Sequence, residues 1–355
     1  MKEIEILPAI QERLAGLLGE VPFLKEQEQQ VEAPATNSDG RFYRADLLLS
    51  VTAGKRRWKI IVEAKSVGEP KLVRYAIQQL KEYLAGQKNV YGVVAVPYIT
   101  EVTARVCREN GVGYVDLAGN CHLDFDRVYV DQRNYPNPSP ERRQARSLFS
   151  PKSSRIPRVL LVHPGREWQV QELASEASVS LGLASRIKER LLNLELARED
   201  KRAIVLVRPR ELLEEWAANY SYRKNMTHNY FSLRDPKQME RDLAAYCDEK
   251  RISYALTMFS GADLVAPFAR YTRGFAYVSK GIRELGETLG MKEVTSGPTF
   301  TILEPYDEGV FYASQDIDGL RVVSDVQLFL DLAGYKGRVE KSARFLLEQR
   351  MATQW

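Results

Sequence analysis

The sequence has little of what disulfide frameworks, zinc centres and membrane spans require. It contains three cysteines in 355 residues, and Cys107, Cys121 and Cys247 form no CxxC pair. It has three histidines, none at the spacing of metal ligands. No uncharged apolar run approaches the roughly 18 residues that cross a bilayer, and the first residues mix acids with apolar side chains, unlike a signal peptide. We therefore expect a reduced, cytoplasmic protein without a zinc site or a membrane partner.

Net charge is also small for a chain of this length. The 51 basic and 47 acidic residues leave +4, so any affinity for nucleic acid would come from local clusters. Hydrophobic residues make up 44% of the chain, which is ordinary for globular proteins, and the length favours two or three domains.

The first 140 residues alternate helix and strand patterns. An amphipathic helix and a polar loop at residues 37–40 precede two strand-like runs, FYRADLLLSV and WKIIVEAK, which a GKRR turn joins into a hairpin. A helix, a strand, a helix and two short strands follow. The order α-β-β-α-β-α-β-β predicts an α/β sheet with helices packed against it.

Residues 141–157 are rich in Pro, Ser and Arg and predict a basic linker. Two interpretations stay open: a solvated connector, or an arm that contacts phosphates. The basic residues in and beside this stretch are Arg142, Arg143, Arg146, Lys152, Arg155 and Arg158.

Three helix patterns and a hairpin over residues 158–210 predict a winged helix-turn-helix. Ala184, Ile187 and Leu191 form the core stripe of the third helix, and Ser180 is a suitable N-cap. The alternative is a protein-interaction module. If the module binds double-stranded DNA, the expected contacts are Ser185, Arg186, Lys188 and Arg190 on the helix and Arg198, Lys201 and Arg202 on the wing.

The remainder divides into a connector at residues 211–234 and an α/β domain at residues 235–355. Its expected strands are ISYALTM, GFAYV, TFTILEP and GVFYAS. SYALTMFSGADLVAP resembles the opening of a nucleotidyltransferase fold, which needs paired aspartates on the next strand for Mg²⁺. That strand, RGFAYVSK, has no acid, so the domain is expected to be catalytically empty.

Asp46, Glu63 and Lys65 are the candidate catalytic set, because the hairpin brings all three to one end of the sheet. Two carboxylates can bind Mg²⁺, and a lysine can steady phosphate charge. The alternative is a surface ion pair worth at most about 1 kcal/mol.

Asp46 followed by Glu63-Ala-Lys65 resembles the PD-(D/E)XK nuclease superfamily, which has a restriction-endonuclease-like α-β-β-β-α-β core. Arg44 and Ala45 precede the aspartate where the pattern has proline. The resemblance implies metal binding by Asp46 and Glu63 and a catalytic role for Lys65. Gln79 and Tyr83 resemble the Gln-x-x-x-Tyr element of some branches and would contact DNA. Glu12 is a further candidate ligand.

A second resemblance extends from about residue 114 onward. GYVDLAGNCHL, FSGADLVAPFARY, LEPYDEGVFY and VVSDVQLFLDLAGYKGR are similar to AbiEi-type antitoxins of type IV toxin-antitoxin systems. This implies a DNA-binding repressor of its own operon that opposes a nucleotidyltransferase toxin. The nuclease-like N-terminal domain is an addition to the domain arrangement of such antitoxins. We therefore expect a regulator that needs no cofactor, with a Mg²⁺-dependent DNA endonuclease as the alternative.

Overall fold

The computed structural model describes residues 3–36, 42–137, 148–267, 270–335 and 339–355. The chain forms two compact units. The first comprises Met1–Glu141 with Asn193–Glu195, and the second comprises Arg142–Leu192 with Leu196–Trp355. In the described part of the chain, no helix is both long and apolar enough to cross a bilayer.

The first unit is built on one seven-stranded mixed sheet. Its helices are α1 (Glu3–Gly19), α2 (Pro70–Leu84) and α3 (Glu101–Glu109). Its strands are β1 (Leu24–Thr36), β2 (Phe42–Ala53), β3 (Arg56–Ala64), β4 (Val90–Val96), β5 (Gly113–Asp116), β6 (Cys121–Phe125) and β7 (Val128–Gln132). The strands lie in chain order, with β3, β4 and β5 parallel and the other neighbours antiparallel. The mixed α/β prediction is confirmed, and the unit opens with the order α-β-β-β-α-β.

Helices cover both faces of this sheet. The apolar side of α1 packs with Val62 and Ala64 in one core, whereas α2 packs with Ile61 in another. Val73 and Leu80 lie two turns apart on α2 and are buried, which is the spacing of an amphipathic helix. Because helices cover β3 and β4 on both faces, the sequences of these strands contain continuous apolar runs.

Strand β1 was not expected from the sequence. LKEQEQQVEAPAT lacks the apolar alternation of a half-buried strand, but it pairs with β2 along nearly its whole length and carries a bulge between Glu26 and Glu28. Edge strands gain their backbone hydrogen bonds from one neighbour and tolerate polar side chains. The edge position therefore explains the missed strand.

The second unit begins with three helices and a small sheet. The helices are α4 (Arg155–Val162), α5 (Val170–Glu176) and α6 (Leu181–Asn193), and the strands are β8 (Trp168–Gln169), β9 (Ala197–Asp200) and β10 (Ala203–Leu206). The antiparallel sheet order is β8-β10-β9. Trp168 pairs with the hairpin, and its side chain is fully buried.

The rest of this unit is a seven-stranded mixed sheet with helices around it. The helices are α7 (Pro209–Asn219), α8 (Pro236–Lys250), α9 (Met258–Val265), α10 (Ile282–Thr288), α11 (Asp325–Ala333) and α12 (Val339–Leu346), followed by a π-helical turn at Leu347–Met351. The strands are β11 (Met226–Phe231), β12 (Tyr254–Leu256), β13 (Gly274–Val278), β14 (Lys292–Glu293), β15 (Phe300–Glu304), β16 (Gln315–Ile317) and β17 (Leu320–Val322). Their order is β14-β11-β15-β13-β12-β17-β16.

Two expectations for this region were wrong. Part of the predicted connector at residues 211–234 is strand β11, which lies within the sheet between β14 and β15. The predicted strand GVFYAS is replaced by a 3₁₀ turn at Glu308–Phe311, which Asp307 caps by accepting the Gly309 N–H at 2.8 Å. A short apolar run flanked by turn residues does not distinguish these two conformations.

The predicted basic linker is folded in its described half. Phe149 stacks on Trp216 with ring centroids 5.6 Å apart, and α4 begins at Arg155. Arg155 forms two hydrogen bonds with Asp307, and Arg158 is buried. Neither arginine is therefore available as a phosphate-contacting arm, whereas Lys152 is exposed. Arg142, Arg143 and Arg146 lie outside the described residues.

Candidate functional site

Helix α6 separates an apolar side from a polar one. Ala184, Ile187 and Leu191 are buried, as their spacing predicted. The Ser180 hydroxyl accepts the Leu183 N–H at 3.3 Å and caps the helix. Because the apolar side is fixed in the core, the opposite side, which carries Ser185 and Arg186, is exposed to solvent.

Lys188 and Arg190 do not belong to that exposed side. Lys188 is only 9% exposed, and its Nζ lies 2.5 Å from Glu199 Oε1 on β9. Arg190 is half-buried, and burial lowers the pKa of its guanidinium despite the nearby Glu215. Both residues lie at the border of the apolar stripe, where long side chains pack their stems against the core. The prediction of Lys188 as a DNA contact is therefore corrected to an ion pair within the fold.

The β9–β10 hairpin adds a second group of cations. Arg198, Lys201 and Arg202 are all exposed. Lys201 and Arg202 form the two-residue turn, with φ of 45° and 71°, which suits the twist of a tight hairpin. The Lys188–Glu199 pair joins α6 to β9 and so holds this hairpin beside the helix. We call the resulting exposed set the reader surface: Ser185, Arg186, Arg198, Lys201 and Arg202.

The sheet-end site in the first unit comprises Asp46, Glu63 and Lys65. Leu47 pairs with Val62, so the next position along the hairpin sets Asp46 beside Glu63 on the same face. Asp46 Oδ2 accepts the N–H of Ala64 at 2.8 Å. Glu63 Oε2 lies 3.4 Å from Lys65 Nζ. The structure thus brings together Asp46, Glu63 and Lys65, the three residues that the sequence predicted at one end of the sheet.

Burial makes this site more than a surface ion pair. The Glu63 side chain is 4% exposed and that of Lys65 is 14% exposed, while Asp46 is half-buried. Charges are placed in such surroundings only with partners, because desolvation is costly. Within the part of the chain that the structure describes, no three His, Cys, Asp or Glu side chains gather as a metal-binding group. Mg²⁺ takes one or two carboxylates and completes its shell with water and phosphate, so Asp46 and Glu63 fit that ion.

Gln79 and Tyr83 lie one turn apart on α2 and are both half-buried. Leu80 beside them packs closely over Gly92 of β4, which pairs with the β3 residue two positions before Glu63. Two residues of a strand span about 7 Å. Tyr83, which lies nearer the end of α2, is therefore displaced along the sheet from the carboxylates.

Glu12 does not complete the site. Its helix, α1, packs on the sheet face that carries Val62 and Ala64, opposite the face of Glu63. The Glu12 side chain is exposed on that helix. The early-helix carboxylate considered from the sequence therefore lies on the other side of the sheet.

A buried polar centre in the second unit was not expected from the sequence. Asp331 on α11 is fully buried, and its carboxylate accepts hydrogen bonds from Tyr220 (2.6 Å), Tyr277 (2.9 Å), Thr257 (2.5 Å) and Gln327 (2.8 Å). Burial nevertheless raises the pKa of Asp331 above its ordinary value. The sequence offers one signal, since Gln327 and Asp331 are spaced i, i+4 within an otherwise apolar helix, DVQLFLDLA.

Comparison with known families identifies much of the second unit. Residues 205–352 match the family model described as transcriptional regulator, AbiEi antitoxin, type IV toxin-antitoxin system. The match covers α7 and the whole seven-stranded sheet, and it starts at the end of the β9–β10 hairpin. This part of the second unit is therefore similar to AbiEi-type antitoxins, and we call residues 205–352 the antitoxin region. No curated protein matches the chain.

Two solved structures show limited similarity. A repair endonuclease from Pyrococcus abyssi is 21% identical, with a TM-score of 0.21, over 30% of this chain and 46% of that one. EndoMS in apo form is 17% identical, with a TM-score of 0.20, over 34% of this chain and 47% of that one. The chain thus spans about half the length of each structure.

Proposed function

We propose that the protein is a DNA-binding transcriptional regulator of a type IV toxin-antitoxin system. The observation that carries the proposal is the reader surface, which lies in the same compact unit as the AbiEi antitoxin region. Helices α4, α5 and α6 followed by the β9–β10 hairpin have the order of a winged helix-turn-helix. In that motif the third helix enters the major groove.

The side chains of the reader surface suit distinct contacts. Arg186 on α6 has the planar donors that pair with guanine in the major groove, and Ser185 beside it can donate to a base or a phosphate. Arg198, Lys201 and Arg202 on the hairpin would meet phosphates. Phosphate contacts set affinity and position, whereas base contacts set sequence preference. Arg186 is therefore the residue on which operator recognition depends most.

The antitoxin region supplies the second half of the proposal. Strand β13, GFAYV, carries no acid, and Asp331 is enclosed by its four donors. Neither feature supports metal-dependent nucleotidyl transfer by this unit. We propose instead that the region opposes a nucleotidyltransferase toxin. A nucleotidyltransferase reading frame next to this gene would support the pairing.

The test is binding of a labelled duplex from upstream of the protein's own gene, compared with a shuffled duplex, at 100–150 mM salt. We expect at least about a thousandfold preference for the upstream duplex. Arg186→Ala should weaken specific binding about tenfold or more. The matched control is Arg283→Ala, because Arg283 is exposed and its ion pair among the described residues is with Glu287 on its own helix. Equal affinity for both duplexes would contradict the proposal.

A second candidate function rests on the sheet-end site. Asp46, Glu63 and Lys65 converge at low exposure, as a Mg²⁺-dependent DNA endonuclease requires. Mg²⁺, when bound, would supply Lewis-acid stabilisation of the phosphate and lower the pKa of a coordinated water. Asp46 and Glu63 would hold the ion, and the Lys65 ammonium would face the phosphate charge.

Supercoiled plasmid incubated with the protein and Mg²⁺ or Mn²⁺ tests this candidate. We expect Asp46→Asn and Lys65→Ala each to reduce nicking about a hundredfold or more. The exposed Lys55→Ala, at the far end of the same hairpin, is the matched control. Cleavage equal in wild type and in both site variants would mark a contaminant and reject the candidate.

A further inference from the structure

Glu189 on α6 is exposed on the same side of the helix as Arg186. Residues three positions apart on a helix are neighbours on its surface, whereas Ile187 between these two is buried in the core. The exposed residues of this side have the spacing i, i+3, i+4 and i+7, which places them in one stripe along the helix: Gly182, Ser185, Arg186 and Glu189. The surface that would face DNA therefore includes an anion beside its main base-reading cation.

The cations closest to Glu189 along the chain do not neutralise it. Lys188 pairs with Glu199 on β9 instead. Arg190 is half-buried and lies near Glu215. Among the residues that the structure describes, the Glu189 carboxylate forms no ion pair. On a surface that meets phosphates, such a carboxylate lowers the affinity for every duplex, because like charges repel. Its position is explained if it meets a base rather than a phosphate.

The major groove offers one group that suits a carboxylate well. An ionised glutamate has acceptors only, so it cannot pair with phosphate oxygens, with guanine O6 and N7 or with thymine O4. The N4 amino group of cytosine is a donor, and glutamate accepts a hydrogen bond from it. Adenine also presents an amino group, but its N7 acceptor lies beside that donor and opposes a carboxylate. Cytosine is therefore the base that a glutamate selects.

We propose that Glu189 is a specificity-determining residue that accepts a hydrogen bond from the N4 amino group of a cytosine in the operator. This inference rests on the proposed function, because it requires α6 to lie in the major groove. Arg186 and Glu189 are separated by about 4.5 Å along the helix axis, and successive bases of one strand by about 3.4 Å. The guanine read by Arg186 and the cytosine read by Glu189 therefore lie within about two base pairs of each other.

Binding of the full-length protein to singly substituted upstream duplexes tests the inference. Each C·G pair is replaced in turn by T·A, which exchanges the N4 donor for an O4 acceptor. At a position within about two base pairs of the guanine that Arg186→Ala no longer discriminates, the replacement should weaken wild-type binding about tenfold. The same replacement should not affect binding by Glu189→Ala. Equal costs for wild type and Glu189→Ala at every position would overturn the inference.

The shuffled duplex separates base recognition from a general effect of charge. Glu189→Ala removes a negative charge, so its affinity for the shuffled duplex should be unchanged or higher, while its preference for the upstream duplex should fall about tenfold. Glu287→Ala is the matched control, because it removes the same charge from an exposed position on α10, and it should keep the preference. An equal gain of Glu189→Ala with both duplexes would overturn the inference. Equal binding of both duplexes by the wild type would instead reject the proposed function, and this inference with it.

Discussion

Asp331 and Asp46 both lie within packed elements, but their surroundings differ. Asp331 in the second unit is fully buried and receives four side-chain hydrogen bonds. Asp46 in the first unit is half-buried, and its one hydrogen bond from the described residues comes from the Ala64 N–H. A carboxylate has about four lone-pair sites. The hydrogen-bond acceptor sites of Asp331 are therefore filled within the fold, whereas Asp46 retains acceptor sites for a ligand.

The largest expected effect separates these two aspartates by stability. Asp331→Ala should lower the free energy of unfolding by about 3 kcal/mol or more, because four buried donors lose their acceptor. Asp46→Ala should cost about 1 kcal/mol or less, since one hydrogen bond at a half-buried position is lost. Urea unfolding followed by circular dichroism measures both. Equal losses would remove the distinction between a structural and an available carboxylate.

Two cations of α6 show the same contrast between a side chain bonded within the fold and one available to a ligand. Lys188→Ala should destabilise the protein by about 1–3 kcal/mol, because the Glu199 pair and the packed stem are lost. Arg186→Ala should leave the unfolding temperature unchanged and weaken operator binding about tenfold. Parallel melting and DNA titration of both variants provide the measurement. If Lys188→Ala kept the wild-type structure and stability but lost DNA binding, Lys188 would have to be counted in the reader surface.

A smaller effect concerns the pH dependence of stability. Burial raises the pKa of Asp331 in the folded protein, so its contribution is fully present below the unfolded pKa, about 3.9, and is lost as pH rises through the folded value. The hydrogen bond from Arg133 lowers the pKa of Asp131 in the first unit, so its contribution is present above about pH 3.9 and is lost as pH falls through the folded value.

Asparagine variants measure these two contributions by thermal unfolding as a function of pH. The loss caused by Asp331→Asn should shrink as pH rises above about 4, and the loss caused by Asp131→Asn should shrink as pH falls below about 4. Slopes of the same sign in both variants would contradict the assigned environments.

Hydrophobic spacing and strand alternation in the sequence predicted the structural features that depend on residues close together along the chain. The hairpin register and the side-chain alternation of β2 and β3 were sufficient to bring Asp46, Glu63 and Lys65 together. The buried stripe and the N-cap of α6 followed from helical spacing. These features depend on one element or on two consecutive ones, so distant partners are not needed to infer them.

Features that depend on distant partners were missed. Strand β11 carries MTHNYF, which has weak strand character, and becomes a strand because β14 and β15 flank it. Arg158 looked like part of a solvated basic stretch, but the packing of Trp216 buries it. The Asp331 centre joins residues up to 111 positions apart. Periodicity contains no information about such pairings.

The salt dependence of operator affinity tests the central claim most directly, that the reader surface contacts the phosphates of a duplex. For the three phosphate contacts of the hairpin, log K against log salt should fall with a slope near −3, and Arg198→Ala should reduce that slope by about one. A wild-type slope near zero, or a slope unchanged when Arg198, Lys201 and Arg202 are all replaced by alanine, would contradict it.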